Sequence, residues 1–208
     1  MSNTIRVENL SKVIKGVTII ENINIEFESG KIYALIGRNG SGKSVFLKIL
    51  TKFYKETGGR ILYNDILVDS FEDFPFKVRA FLETPSFIPT MSGLDNLKIL
   101  SKLSDKLSND DLNDLFDKVN LNSERNKNFR YYSLGMKQKL GIACTLMDNP
   151  DTIILDEPFN GIDDESITMI KKLLIGMRDE GKIIIIATHI KEDIENFCDQ
   201  IYSFKMQS

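Results

Sequence analysis

KIYALIGRNGSGKS, residues 31–44, decides the fold. Lys31 to Ile36 is a short apolar run that follows the turn residues Glu28-Ser29-Gly30, the pattern of a strand buried on both faces. The run stops in a glycine-rich loop, Gly37 to Gly42. A helical stretch follows, in which Val45, Leu47, Ile49 and Leu50 supply apolar contacts. Gly37-Arg38-Asn39-Gly40-Ser41-Gly42-Lys43-Ser44 matches G-x-x-x-x-G-K-S in full, in strand–loop–helix context. Glycines let successive backbone N–H groups turn inward around phosphate oxygens. The next helix adds its N-terminal partial positive charge. Lys43 is placed to reach the β- and γ-phosphates of a nucleotide, and the Ser44 hydroxyl to help hold Mg²⁺. A chance glycine turn and the phosphate loop of a kinase are the competing readings; the context favours nucleotide binding.

Outward from this stretch, Ile23, Ile25 and Phe27 alternate with Asn24 and Glu26, the period of a half-buried strand. Thr152 to Leu155 and Lys182 to Ala187 repeat the buried-strand pattern, with a helical segment, Asp164 to Arg178, between them. Strand and helix alternating in this way predict a mostly parallel sheet with helices packed on it. The middle of the chain differs. Leu94 to Leu103 and Asp110 to Val119 read as helices, and Asn120 to Asn128 as a polar loop. The expectation is therefore a single domain, 1–208, with residues 1–83 and 144–208 forming an α/β core and 84–143 an inserted helical lobe. The first 30 residues and Gly59 to Val68 read as additional strands beside that core.

Composition narrows the function classes. Lys and Arg number 27 against 30 Asp and Glu, a net charge of −3, which disfavours a dedicated nucleic-acid binder. Hydrophobic residues make up 42% and charged residues 27%, so wholesale disorder is not expected. Cys144 and Cys198 form no disulfide framework and read as core residues in a reducing compartment. The longest apolar runs, such as Ile183 to Ala187, are too short to cross a bilayer, and Met1 to Leu10 has no signal-peptide apolar region. The expectation is a soluble cytosolic protein. If it serves a membrane process, another chain does the crossing. Lys far outnumbers Arg, and Ile and Asn are abundant, which points to an AT-rich bacterial genome.

Further candidates lie downstream. In Thr152-Ile-Ile-Leu-Asp156-Glu157-Pro158, a carboxylate at the end of a buried strand can bind Mg²⁺ (Asp156), and its neighbour Glu157 can polarise a water for attack on a γ-phosphate. Strands often end in acidic turn residues, so the pair gains its weight from the phosphate loop in the same chain. His189, the only histidine, follows the last buried strand, where its ring can reach that phosphate. Asp110 and Asp111 sit at a helix start and suit its dipole rather than a metal.

Between loop and carboxylates lies Tyr132-Ser-Leu-Gly-Met-Lys-Gln138, and after them Asn160-Gly-Ile-Asp163 and Ala187-Thr-His189. In this order, with the phosphate loop and LDEP, they resemble the ATP-binding subunit of an ABC transporter over nearly the whole chain, from Val7 to His189. The resemblance implies an ATP hydrolase with ATP and Mg²⁺ as cofactors, on a P-loop NTPase core with an N-terminal antiparallel β subdomain and the inserted helical lobe. It makes Gly37 to Val45 the ATP-binding loop, with Ser44 and Asp156 toward the metal, and Glu157 and His189 catalytic. Ser133, Leu134, Gly135 and Met136 become the signature segment acting on the ATP of a second copy, and Asn160, Gly161 and Asp163 the D-loop. It further implies head-to-tail pairing, as a homodimer or with a related ATP-binding subunit, around a transmembrane permease. The chain would then lie at the inner face of a bacterial cell membrane, touching it only through that partner and binding no nucleic acid.

Three departures stand out. Leu134 and Met136 replace a glycine and a glutamine of the common signature. Glu83, in Phe81-Leu-Glu83-Thr-Pro-Ser-Phe87, stands where a glutamine is usual. Near Ile14 the family places an aromatic ring against adenine, yet no Phe or Tyr precedes Phe27. Ile14 or Val17 packing there predicts relaxed base selectivity. Glu83 together with S-L-G-M-K-Q is similar to subunits of bacitracin-resistance and lantibiotic-immunity exporters, which implies export of an antimicrobial peptide or related cargo. That branch commonly carries a C-terminal extension, and this chain stops at Ser208. The face from Glu83 to Met91 is expected to dock the membrane partner. The alternative is an ATP-dependent adaptor or regulatory ATPase of the same superfamily with low turnover. The intact Glu157 and His189 argue against it.

Overall fold

The computed structural model describes residues 2–82, 87–102 and 107–205. In chain order its main elements are β1 (Thr4–Ile14), β2 (Val17–Glu28), β3 (Lys31–Ile36), α1 (Lys43–Leu50), β4 (Gly58–Tyr63), β5 (Ile66–Leu67), β6 (Val78–Phe81), α2 (Gly93–Ser101), α3 (Asn109–Lys118), α4 (Leu134–Thr145), β7 (Thr152–Asp156), α5 (Asp164–Asp179), β8 (Ile183–Thr188) and β9 (Gln200–Ser203).

The N-terminal hairpin closes through Lys15 and Gly16, both at positive φ (49° and 80°), the two-residue geometry whose twist matches the flanking strands. Ile5 pairs with Phe27 and Val7 with Ile25, so the apolar members of both strands share one face. The alternation read in β2 holds: Ile25 and Phe27 are buried, Asn24 and Glu26 exposed. The antiparallel sheet runs β2-β1-β4-β5.

The second sheet is parallel, in the order β6-β7-β8-β3-β9. Its central strands are buried on both sides, and their period of two deals residues to two separate cores. Ile32, Ile153, Leu155, Ile184 and Ile186 face the core shared with α5 and the helical lobe. Tyr33, Leu35, Ile154, Ile183 and Ile185 face the other, shared with α1 and the antiparallel sheet. Helix α1 is wedged into this second core by Phe46, Leu47, Ile49 and Leu50, all fully buried. Burial at roughly 1.5–3 kcal/mol per side chain fixes the helix, and hence the start of the loop before it.

The helical lobe is set by its caps. Ser92 opens α2 by accepting the Asp95 N–H, and Ser108 opens α3 in a capping box with Asp111. Asp110 and Asp111 are thus helix-start residues, as the sequence predicts. The lobe is tied to the core where α4 crosses β6: a Cβ on Gly141 would stand 2.5 Å from Phe81 Cε2, so a larger residue must push the Phe81 ring aside. Among the described residues, no helix is long and apolar enough to cross a membrane.

Candidate nucleotide-binding site

The glycine loop hangs between the end of β3 and the start of α1. Gly42 caps α1 at φ 93°, in the left-handed region that glycine tolerates. Arg38, Asn39 and Gly40 are exposed on the loop crest, while Ser41, Gly42 and Lys43 are buried. Lys43 bends back into the loop and donates to the carbonyls of Gly37 at 2.6 Å and Arg38 at 3.3 Å. The buried Ser41 hydroxyl has no partner among the described residues. Ser44 and Val45 follow Lys43 in the first turn of the helix, with Ser44 exposed.

The parallel order brings the ends of β7 and β8 beside this loop. Asp156 is the last residue of β7; burial pushes its carboxyl above the usual carboxylate range, and a hydrogen bond from Ser44 pulls it back. Its Oδ1 is buried, with no partner among the described residues. Glu157 follows at φ 48°, a left-handed backbone uncommon for a non-glycine residue, with its N–H on the Ala187 carbonyl at 2.8 Å. That turn swings its carboxylate between three neighbours: Lys43 Nζ lies 3.8 Å and His189 Nδ1 2.9 Å from Oε1, and Thr188 Oγ1 3.3 Å from Oε2. Thr188 also reaches Asp193 Oδ2 at 3.3 Å. Burial raises the Asp193 carboxyl, against the opposing hydrogen bond from Thr188.

Ser133 to Met136 and Asn160 to Asp163 form a second assembly within the chain. Ser133 caps α4 by accepting the Met136 N–H at 3.2 Å. Leu134 lies against Gly161 and is 55% exposed, a large apolar side chain left at the surface. Asp163 caps α5 through the Ser166 N–H at 2.9 Å and pairs with Lys139 of α4 at 2.8 Å. Lys139 and both Ser166 bonds hold the Asp163 carboxyl well below the usual range.

The sequence-predicted residues thus fall in two groups: Gly37–Val45, Asp156, Glu157 and His189 together, and the Ser133–Met136 segment with the Asn160–Asp163 turn. Ile14 ends β1, half-buried at the hairpin, and Val17 across the turn is 60% exposed. Glu83, and with it part of the Glu83–Met91 face, lies outside the described residues. Sequence reasoning passed over Thr188, Asp193 and Lys139. Thr188 adjoins the single histidine, which was its only signal; Asp193 and Lys139 carried no signal of their own.

A phosphate loop between an interior strand of a parallel sheet and a buried helix, facing strand-end carboxylates, makes this a P-loop NTPase fold carrying a helical insertion. Residues 20–160 match the family model described as "ABC transporter". The chain is 37% identical over 203 residues to the bacitracin transport ATP-binding protein BcrA of Enterococcus faecalis, covering 97% of this chain and 66% of that protein. It is 36% identical over 197 residues to the lantibiotic transport ATP-binding protein SrtF of Streptococcus pyogenes, covering 95% and 85%. In fold it matches a solved ATP-binding subunit of an ABC transporter with a TM-score of 0.86 and 26% identity, over 98% of this chain and 88% of that one. The bacterial ABC transporter cassette MJ0796, solved as a dimer, matches at TM-score 0.87 and 24% identity, over 97% and 94%. The chain belongs to the ABC transporter family, as an ABC-type ATPase of the ATP-binding-subunit class.

Proposed function

We propose that this chain binds and hydrolyses ATP to power a separate transmembrane permease, two ATP-binding subunits closing head to tail around the nucleotide. The cargo is an antimicrobial peptide or a related amphipathic molecule. The named roles of the bacitracin and lantibiotic transport relatives support the cargo class. By this reading the chain works at the inner face of the bacterial membrane, through its permease.

The placement of the Glu157 carboxylate carries the proposal, aimed by a left-handed backbone to within 2.9 Å of His189 and 3.8 Å of Lys43. Backbone N–H groups from Gly37 to Val45 cradle the phosphates, and the orphaned Ser41 hydroxyl gains a phosphate oxygen as acceptor. Lys43 leaves its loop carbonyls for the β- and γ-phosphates. Glu157 takes the proton of a water as its oxygen bonds to the γ-phosphorus, while the bond to the β–γ bridging oxygen breaks and ADP leaves. His189 holds Glu157 and reaches toward the departing phosphate.

The donor set fits Mg²⁺: Asp156 offers a buried, unpartnered Oδ1, with Ser44 on the same carboxylate. Bound there, Mg²⁺ would neutralise charge on the phosphates. Ser133, Gly135 and the N-terminus of α4 face the ATP of the second subunit, with Leu134 and Met136 packing where polar contacts are usual. Gly161, packed on Leu134, and Asp163, paired with Lys139, hold that segment against the turn that begins at Asn160. The test is ATP turnover by the purified chain beside Glu157→Gln, with dimer mass followed by light scattering. Turnover in the wild type, and an ATP-trapped dimer without turnover in the variant, are expected. Undiminished turnover in Glu157→Gln removes Glu157 as the base.

A further inference from the structure

The two oxygens of Glu157 are held differently. Oε1 meets His189 at 2.9 Å and Lys43 at 3.8 Å, whereas the neighbour of Oε2 is the Thr188 hydroxyl at 3.3 Å. Thr188 ends β8 fully buried, and its Oγ1 accepts the Ile190 N–H at 3.1 Å, which fixes the oxygen in place. A hydroxyl carries one proton. Two carboxylates compete for it at the same distance, Glu157 Oε2 and Asp193 Oδ2, both at 3.3 Å. Only one is served at a time.

We propose that Thr188 and Asp193 are positioning residues for Glu157, Asp193 drawing the Thr188 proton to itself and so leaving Oε2 an open acceptor for the attacking water. The inference rests on Glu157 being the base. With the hydroxyl turned to Glu157, Oε2 is already occupied as an acceptor and is less open to the water. Turned to Asp193, the same hydroxyl still walls the carboxylate in position, but its proton is spent elsewhere. Asp193 touches no nucleotide in this scheme; its effect passes entirely through Thr188.

The experiment is steady-state ATP turnover of the full chain with Mg²⁺, with kcat and KM separated, for Thr188→Val, Thr188→Ser, Asp193→Ala, the Thr188→Val/Asp193→Ala pair and Glu157→Gln. Thr188→Val, which removes the contested proton and leaves a side chain of similar shape beside Glu157, is expected to keep kcat and KM within about threefold of the wild type, and Thr188→Ser likewise. Asp193→Ala is expected to lose about threefold to tenfold. The double variant is expected to be no slower than Thr188→Val, because neighbours acting through one group are not additive. Wild-type turnover in Asp193→Ala, or its full loss persisting in the double variant, overturns the proposal. If Glu157→Gln keeps turnover, the underlying base assignment fails; if it is inactive while Asp193→Ala is unaffected, only this inference fails. Should Thr188→Val not fold, Asp193→Ala and Asp193→Asn at the partly exposed site decide, since both must lower kcat without moving KM.

Discussion

Gly135 and Gly161 meet backbone to backbone. A Cβ added at Gly135, at the start of α4, would overlap the carbonyl oxygen of Gly161 and stand 3.1 Å from its carbon. Leu134 closes the same contact from its other side, against the Gly161 position. The signature segment and the turn after the catalytic strand are therefore one packed unit, built by the absence of side chains.

Gly135→Ala must displace main chain, not a flexible side-chain end, and is expected to cost about 1–3 kcal/mol. ATP-driven dimerisation should weaken with it. Gly176→Ala is the control. It lies exposed in α5, with negative φ and open space around its Cβ position, and should gain about 0.5–1 kcal/mol. Urea unfolding of both variants checks the opposite signs; equal midpoints would remove the contact from the argument.

Asp163 gives the same unit a pH dependence. Its carboxyl is held below the usual range first by Lys139, then by the Ser166 N–H and hydroxyl. A depressed folded-state pKa contributes stability that is fully present above the unfolded value near 4 and is lost as pH falls through the folded one. Asp163→Asn keeps a capping oxygen but not the charge. The carboxylate is 57% exposed, so screening limits its worth to about 1 kcal/mol or less. Wild type should exceed Asp163→Asn in stability at pH 6–7, with the gap closing as pH drops below about 4. A gap that does not change with pH would show that Lys139 contributes no charge pairing.

Much of this arrangement was legible in the sequence, and the exceptions have physical causes. KIYALI and the loop behind it announced both β3 and the phosphate site, since buried strands and glycine loops are local patterns. The edge strands β6 and β9 were not foreseen. Each has four residues, and Ile201 in β9 is 52% exposed; they exist because β7 and β3 offer them ladders. Helices α2 and α3 were legible from their spacing, whereas α4 is buried along most of its length and shows no one-sided apolar stripe. The Lys139–Asp163 bond and the Thr188–Asp193 contact were not, since each rests on where two elements stop relative to one another.

The two cysteines are expected to be slow nucleophiles. Burial pushes the Cys144 thiol up to about 11 and the Cys198 thiol up to about 12. Both values lie above the ordinary thiol value near 8.5, so the fold favours the neutral form, a preference that fades as pH rises through the folded values. Native protein at pH 7.5 should react with iodoacetamide about a hundredfold more slowly than urea-unfolded protein. Fast native labelling of either residue would show that its site opens in solution.

Glu157 links stability to function through its backbone. At φ 48° a side chain is crowded against its own main chain, at about 1–2 kcal/mol relative to glycine. The 2.8 Å bond from its N–H to the Ala187 carbonyl holds the turn, and the turn aims the carboxylate at Lys43 and His189. Comparing Glu157→Gly with Glu157→Ala isolates the strain, because both lose the carboxylate and all its contacts. Glu157→Gly should unfold at the higher urea concentration, by a difference worth about 1 kcal/mol, and both should be without turnover. If alanine is as stable as glycine here, the left-handed turn is not a reservoir of strain, and a base presented from relaxed backbone would serve equally well.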